Sequence, residues 1–135
     1  MLRRLRADAR GAVLVEVALS LPILIMLLIG IIVYGAWLSV ANAVQQAANE
    51  AARAAIAGIS ASERQSLVAE SVTKSFSSMG LLDPTLVSIN TAQSGAFYSV
   101  SVSYNATASR LFSASPIPLP TGLIRRASVV KLVTL

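Results

Sequence analysis

From Gly11 to Leu38 the chain is almost continuously apolar: Glu16 and Ser20 interrupt it, and from Val17 to Asn49 there is no charged residue. The run predicts a membrane-spanning helix over 12–38, roughly 40 Å long at about 1.5 Å per residue, enough to cross a hydrocarbon core of about 30 Å with some tilt. A buried helix of a water-soluble protein would not be expected to run so far without a polar stripe. The pattern then changes. Over 39–58 apolar positions recur at Val40, Val44, Ala47, Ala51 and Ala54, while Ser39, Asn42, Gln46, Asn49 and Arg53 form an opposite stripe. That spacing extends the same helix outside the membrane with one apolar, alanine-rich face, and Glu50 lies three residues before Arg53 for an ion pair. Gly58 is a plausible stop.

A second helix is signalled by "SASERQ": Ser60 and Glu63 have capping-box spacing, and Val68, Val72, Phe76 and Met79 follow as an apolar stripe. Gly80 and then Pro84 end it. From Thr85 onward the period is two. "FYSVSVSY" (97–104) sets Tyr98, Val100, Val102 and Tyr104 on one face and serines on the other. "TLVSIN" (85–90) is a shorter partner strand, "QSG" (93–95) a hairpin turn, "SPIPLPTG" (115–122) a proline-punctuated loop, and 123–135 a final strand. The expected fold is α+β: a long N-terminal helix, transmembrane and then amphipathic, followed by a small domain (59–135) of one helix on a three-stranded antiparallel sheet.

Charge changes the picture by orienting it. The net charge is +5, and four of the eleven basic residues, Arg3, Arg4, Arg6 and Arg10, precede the span, whereas the first one after it is Arg53. The positive-inside rule then keeps residues 1–11 as a cytoplasmic basic leader and sends the C-terminal part outward. Tyr34 and Trp37 lie where aromatic rings favour the membrane–water boundary and are expected to anchor it. The basic balance is a topology signal rather than a nucleic-acid footprint. A secretory signal peptide also opens with basic residues, but its apolar core is about 7–15 residues, and Ala41-Asn42-Ala43 stands too far from Met1 to serve as its cleavage site.

The chain has no cysteine and no histidine. That excludes disulfides, thiolate nucleophiles, Cys/His zinc sites and His-based acid–base pairs, and the serines stand in no nucleophile-elbow or Ser-x-x-Lys pattern. We expect no enzyme, cofactor, metal or small-molecule substrate. What remains is Glu16, a carboxylate five residues past Gly11 at the edge of the apolar run. An acid inside a membrane span costs very roughly 2–4 kcal/mol on insertion scales, so it calls for a reason.

The basic leader, Gly11, a span starting at once and a glutamate at its fifth residue resemble the processing signal of type IV prepilins. The wider pattern, "RGAVLVEVALSLPILIMLLIGI" followed by "NAVQQAANEAARAA", resembles the TadE-like pseudopilins of tight-adherence (Tad/Flp) pilus systems. The resemblance implies cleavage between Gly11 and Ala12 by a prepilin peptidase, with Glu16 as the fifth residue of the mature chain. It also implies a helix loosened or kinked at Pro22. Two positions depart from the pattern: Val17 stands where an aromatic residue commonly follows the glutamate, and Val33 where an acid often precedes the aromatic.

The resemblance implies a minor pilin or pseudopilin in the bacterial inner membrane, single-pass, with its C-terminal domain outside the cytoplasm. Its partners would be the peptidase, other pilin and pseudopilin subunits and the inner-membrane assembly proteins, with the fibre itself as an alternative destination. The rival reading is an uncleaved, signal-anchored extracytoplasmic binding or adhesion module, which needs neither Gly11 nor Glu16. The residues also allow Glu16 a plain role, reaching the cytoplasmic headgroups beside Arg10.

Overall fold

The computed structural model describes residues 8–80 and 82–132. Arg3, Arg4 and Arg6 lie outside the described residues, as does the side chain of Arg10. Two helices, α1 (Asp8–Ala55) and α2 (Ala61–Ser78), precede three strands, β1 (Val87–Ser94), β2 (Phe97–Asn105) and β3 (Leu123–Lys131). The sheet is antiparallel throughout, in the order β1-β2-β3. The architecture is the α+β arrangement that the periodicities predict.

α1 is one unbroken helix of 48 residues, about 72 Å long at roughly 1.5 Å per residue, with Pro22 inside it. It ends at Ala55, three residues before the expected stop, because Ile56, Ala57 and Gly58 tighten into bonds back to the third preceding carbonyl. Gly58 is required for a different reason. A Cβ there would stand 2.6 Å from Arg64 Cγ and 2.9 Å from Arg64 N, so the first turn of α2 closes directly over it.

The second half of α1 is the spine of the domain. Val40, Ala41, Val44, Ala47, Ala48, Ala51, Ala52 and Ala55 are buried, and the predicted polar stripe is exposed. The buried face is broader than one stripe, since α1 packs on β2 and β3 on one side and on α2 on the other. Ala54, expected inside, is therefore half-buried, and Ala55 is buried in its place. Small side chains let both neighbours approach the helix backbone closely. The core of 59–135 thus closes on α1 rather than on itself, as expected of so short a segment.

α2 starts as its sequence dictates. Ser60 Oγ accepts from Glu63 N at 3.2 Å, and Glu63 Oε2 accepts from Ile59 N at 2.8 Å. Val68, Val72 and Phe76 are buried, and Gly80 takes the left-handed conformation (φ 60°) that ends many helices. Glu50, a candidate partner of Arg53, instead accepts from Ser75 Oγ at 2.6 Å and ties α1 to α2. A 3-10 turn, Pro84–Leu86, then leads into β1, capped by Asp83. Hydrogen bonds from the Thr85 hydroxyl and amide hold the Asp83 carboxyl below its usual pKa. The cap is thus fully present at neutral pH and is lost only as pH falls through that lowered value.

β2 has the predicted faces, with Tyr98, Val100, Val102 and Tyr104 all buried. The hairpin closes through a two-residue turn, Gly95-Ala96, with Gly95 at φ 57°, the position where a II′ turn needs glycine. The outer edge of β3 is turned toward α1, where Gln45 Nε2 donates to the Ala127 carbonyl at 3.4 Å. The Tyr98 and Tyr104 hydroxyls are buried with no hydrogen-bond partner among the described residues. An unmade bond of this kind costs about 1–3 kcal/mol, so Tyr104→Phe is expected to be neutral or stabilising by up to about 1 kcal/mol in denaturant titrations of the detergent-solubilised protein.

Candidate functional site

Every residue of α1 from Gly11 to Leu28 is exposed, Ile29 and Gly30 are half-covered, and continuous burial begins only at Val40. By length and composition, this helix can cross a membrane once. The apolar segment from Ala12 to Val33, exposed or half-covered throughout, rises roughly 32 Å, which matches a hydrocarbon core of about 30 Å.

Gly11, Ala12 and Glu16 sit near the start of that segment. Among the described residues nothing lies within 4 Å of where a Cβ on Gly11 would be, so their packing does not call for glycine there. Inside a helix glycine costs about 0.5–1 kcal/mol relative to alanine, a cost the chain gains nothing for in its own packing. Gly35 is equally unobstructed. Gly11 is set apart by its neighbours, an arginine before it and a carboxylate five residues after. Ala12 and Glu16 are four residues apart on one continuous helix, so one turn, or about 6 Å of rise, separates them. Glu16 is exposed on a stretch of helix whose other faces are apolar. Further along, Ser20 Oγ donates to the Val17 carbonyl at 3.3 Å, and Pro22 leaves the carbonyl of Ala18 without its intrahelical donor.

Tyr34 and Trp37 have a task that their positions in sequence do not reveal. Tyr34 Oη donates to the Pro118 carbonyl at 3.4 Å, and Trp37 Nε1 donates to the Thr121 carbonyl at 3.1 Å. Ile117 lies 3.5 Å from where a Cβ on Gly30 would be. The proline loop is thus fastened to α1 where the helix leaves its exposed segment. Trp37→Phe keeps an aromatic ring but removes the donor, and we expect it to cost about 0.5–1.5 kcal/mol. Amide exchange at Ala106, whose N–H donates to the Gly122 carbonyl at 2.8 Å next to the lost bond, should accelerate, while exchange at Val100 and Val102 in β2 should not.

These features define a class, a small α+β domain built on a helix that is long and apolar enough to span a membrane once. Residues 11–53, which are 43 of the 135, match the family model described as TadE-like protein. The matched segment holds Gly11, Ala12, Glu16, Pro22, Tyr34 and Trp37, and it is consistent with a TadE-like, pilus-associated protein. No curated protein and no solved structure matches the chain.

Proposed function

We propose that this protein is a minor pilin or pseudopilin of a Tad/Flp-type pilus, a structural and assembly component rather than an enzyme. It is inserted with residues 1–11 in the cytoplasm and its C-terminal domain outside, and a prepilin peptidase cuts it between Gly11 and Ala12. The observation that carries this reading is the combination at the start of the TadE-like segment: a helix-interior glycine that no packing among the described residues requires, followed by a membrane-level carboxylate one turn past the new terminus.

The cut gives Glu16 its purpose. It creates an α-ammonium on Ala12 beside the apolar phase, where an unpaired charge is costly. Glu16 can neutralise that ammonium within its own chain, or it can take the ammonium of a neighbouring subunit and so set their axial register. A buried pair of this kind specifies an arrangement more surely than it adds stability. Glu16→Ala is therefore expected to be cut normally and to be lost from the assembled fraction by an order of magnitude or more. Immunoblots of membrane and sheared-pilus fractions, together with co-purification of partner subunits, measure this. Wild-type recovery of the variant in assemblies would remove the register role.

A further inference from the structure

We propose that the stretch Leu111–Ile124 is a second membrane contact, distinct from the span: its proline loop rests in the headgroup layer of the outer leaflet beside α1. The inference rests on the single-span reading of α1 and not on how Gly11 is processed. Height comes first. At about 1.5 Å per residue, Gly30 and Trp37 lie roughly 27 Å and 37 Å beyond Ala12 along α1, on either side of the edge of a hydrocarbon core about 30 Å thick. The loop is bonded to Tyr34 and Trp37, and its Ile117 lies 3.5 Å from where a Cβ on Gly30 would be, so it occupies the same level.

Its chemistry suits that level. From Leu111 to Ile124 there is no charged residue, and Pro116, Pro118 and Pro120 alternate with Ile117 and Leu119. The prolines carry no N–H to leave unsatisfied away from water. The N–H of Ile117 is taken by Ser115 Oγ at 3.2 Å, and the Pro118 and Thr121 carbonyls accept from α1. The loop has thus disposed of much of its backbone polarity without water. Ile117 and Leu119 are half-buried, and the three prolines between and around them are exposed. Elsewhere along α1, Ala36, Val40, Ala43, Met79, Leu82 and Leu111 line a mainly apolar groove of about 330 Å³ just above the same level.

Charge brackets the stretch. Arg110 and Arg125 are exposed at its two ends, Arg126 follows, and no acid occurs after Asp83. An apolar tip flanked by arginines complements phospholipid, with acyl carbon below and phosphate above. The β1–β2 turn lies at the opposite end of the sheet, beside Leu132, so it serves as a water-exposed reference.

The absence of cysteine makes the test clean, since one introduced thiol is the only one to label. Pro118→Cys, Pro120→Cys and the reference Ser94→Cys are each labelled with bimane in the full chain and reconstituted in phosphatidylcholine–phosphatidylglycerol vesicles. Far-UV dichroism checks that each variant folds as the parent does. Bimane at 118 and at 120 should be quenched by headgroup-level nitroxide lipids and reached by iodide several-fold less than bimane at 94. Iodide access equal to that at 94 would overturn the proposal. Shielding from both quenchers that disappears when the protein is diluted in lipid would also overturn it, by showing that a second copy covers the loop.

Discussion

Gly11→Leu should abolish the mature form. In cells with an active prepilin peptidase, we expect the precursor to accumulate and the cleaved product to fall by about two orders of magnitude, a rise of roughly 3 kcal/mol in the barrier for cleavage. Misfolding cannot account for that outcome. Among the described residues the position has open space around it, and in a helix leucine is favoured over glycine by about 0.5–1 kcal/mol, so α1 should be slightly firmer. On the proposed cleavage, what a side chain at residue 11 changes is access to the peptide bond that follows. Gly35→Ala serves as the control, because Gly35 is equally unobstructed in the same helix and that variant should be cut normally. A gel-shift immunoblot distinguishes precursor from product.

Phe76→Ala should have the largest effect on folding. Phe76 is fully buried and stacks on Tyr104 with ring centroids 5.9 Å apart and planes 21° from parallel. It joins α2 to the inner face of the sheet, over the alanine face of α1. Removing such a ring costs about 3–5 kcal/mol, a large part of the 5–15 kcal/mol that holds a typical domain together. Denaturant titration of the detergent-solubilised protein, followed by Trp37 fluorescence, should show the loss. A change below about 1 kcal/mol would mean that α2 is not the lid of this core. The apolar half of α1 should stay helical throughout, because its backbone bonds lie within the segment and lipid favours keeping them.

The elements most legible in the sequence are those with a local cause. The faces of β2 follow from its strict alternation, and the start of α2 from Ser60 and Glu63. The length of α1 follows from one apolar run continued by an apolar stripe. Elements fixed by distant partners were harder to read. β1 runs on to Ser94, past the Asn90 suggested by its own pattern, because each residue to the end finds a partner on β2, down to Ser94 opposite Phe97. The phase of the alanine face moves from Ala54 to Ala55 because two layers, not one, bear on the helix.

The candidate site divides in the same way. Gly11, Ala12, Glu16 and Pro22 follow one another along the chain, so their spacing on the helix could be read directly. Nothing in the spacing of Tyr34 and Trp37 announced carbonyl partners 84 residues away. The alternating prolines were legible as a loop, and only the fold puts that loop against α1 at the level where the apolar run ends. The exposure of Gly11 to Leu28 agrees with a lipid-facing helix.

The central claim is that the chain is cut after Gly11, and the N-terminal residue of the protein in its native membranes tests it most directly. Mass spectrometry of the terminal peptide should find a chain beginning at Ala12. An intact precursor in cells that hold an active prepilin peptidase would contradict the account and leave an uncleaved, signal-anchored binding module in its place.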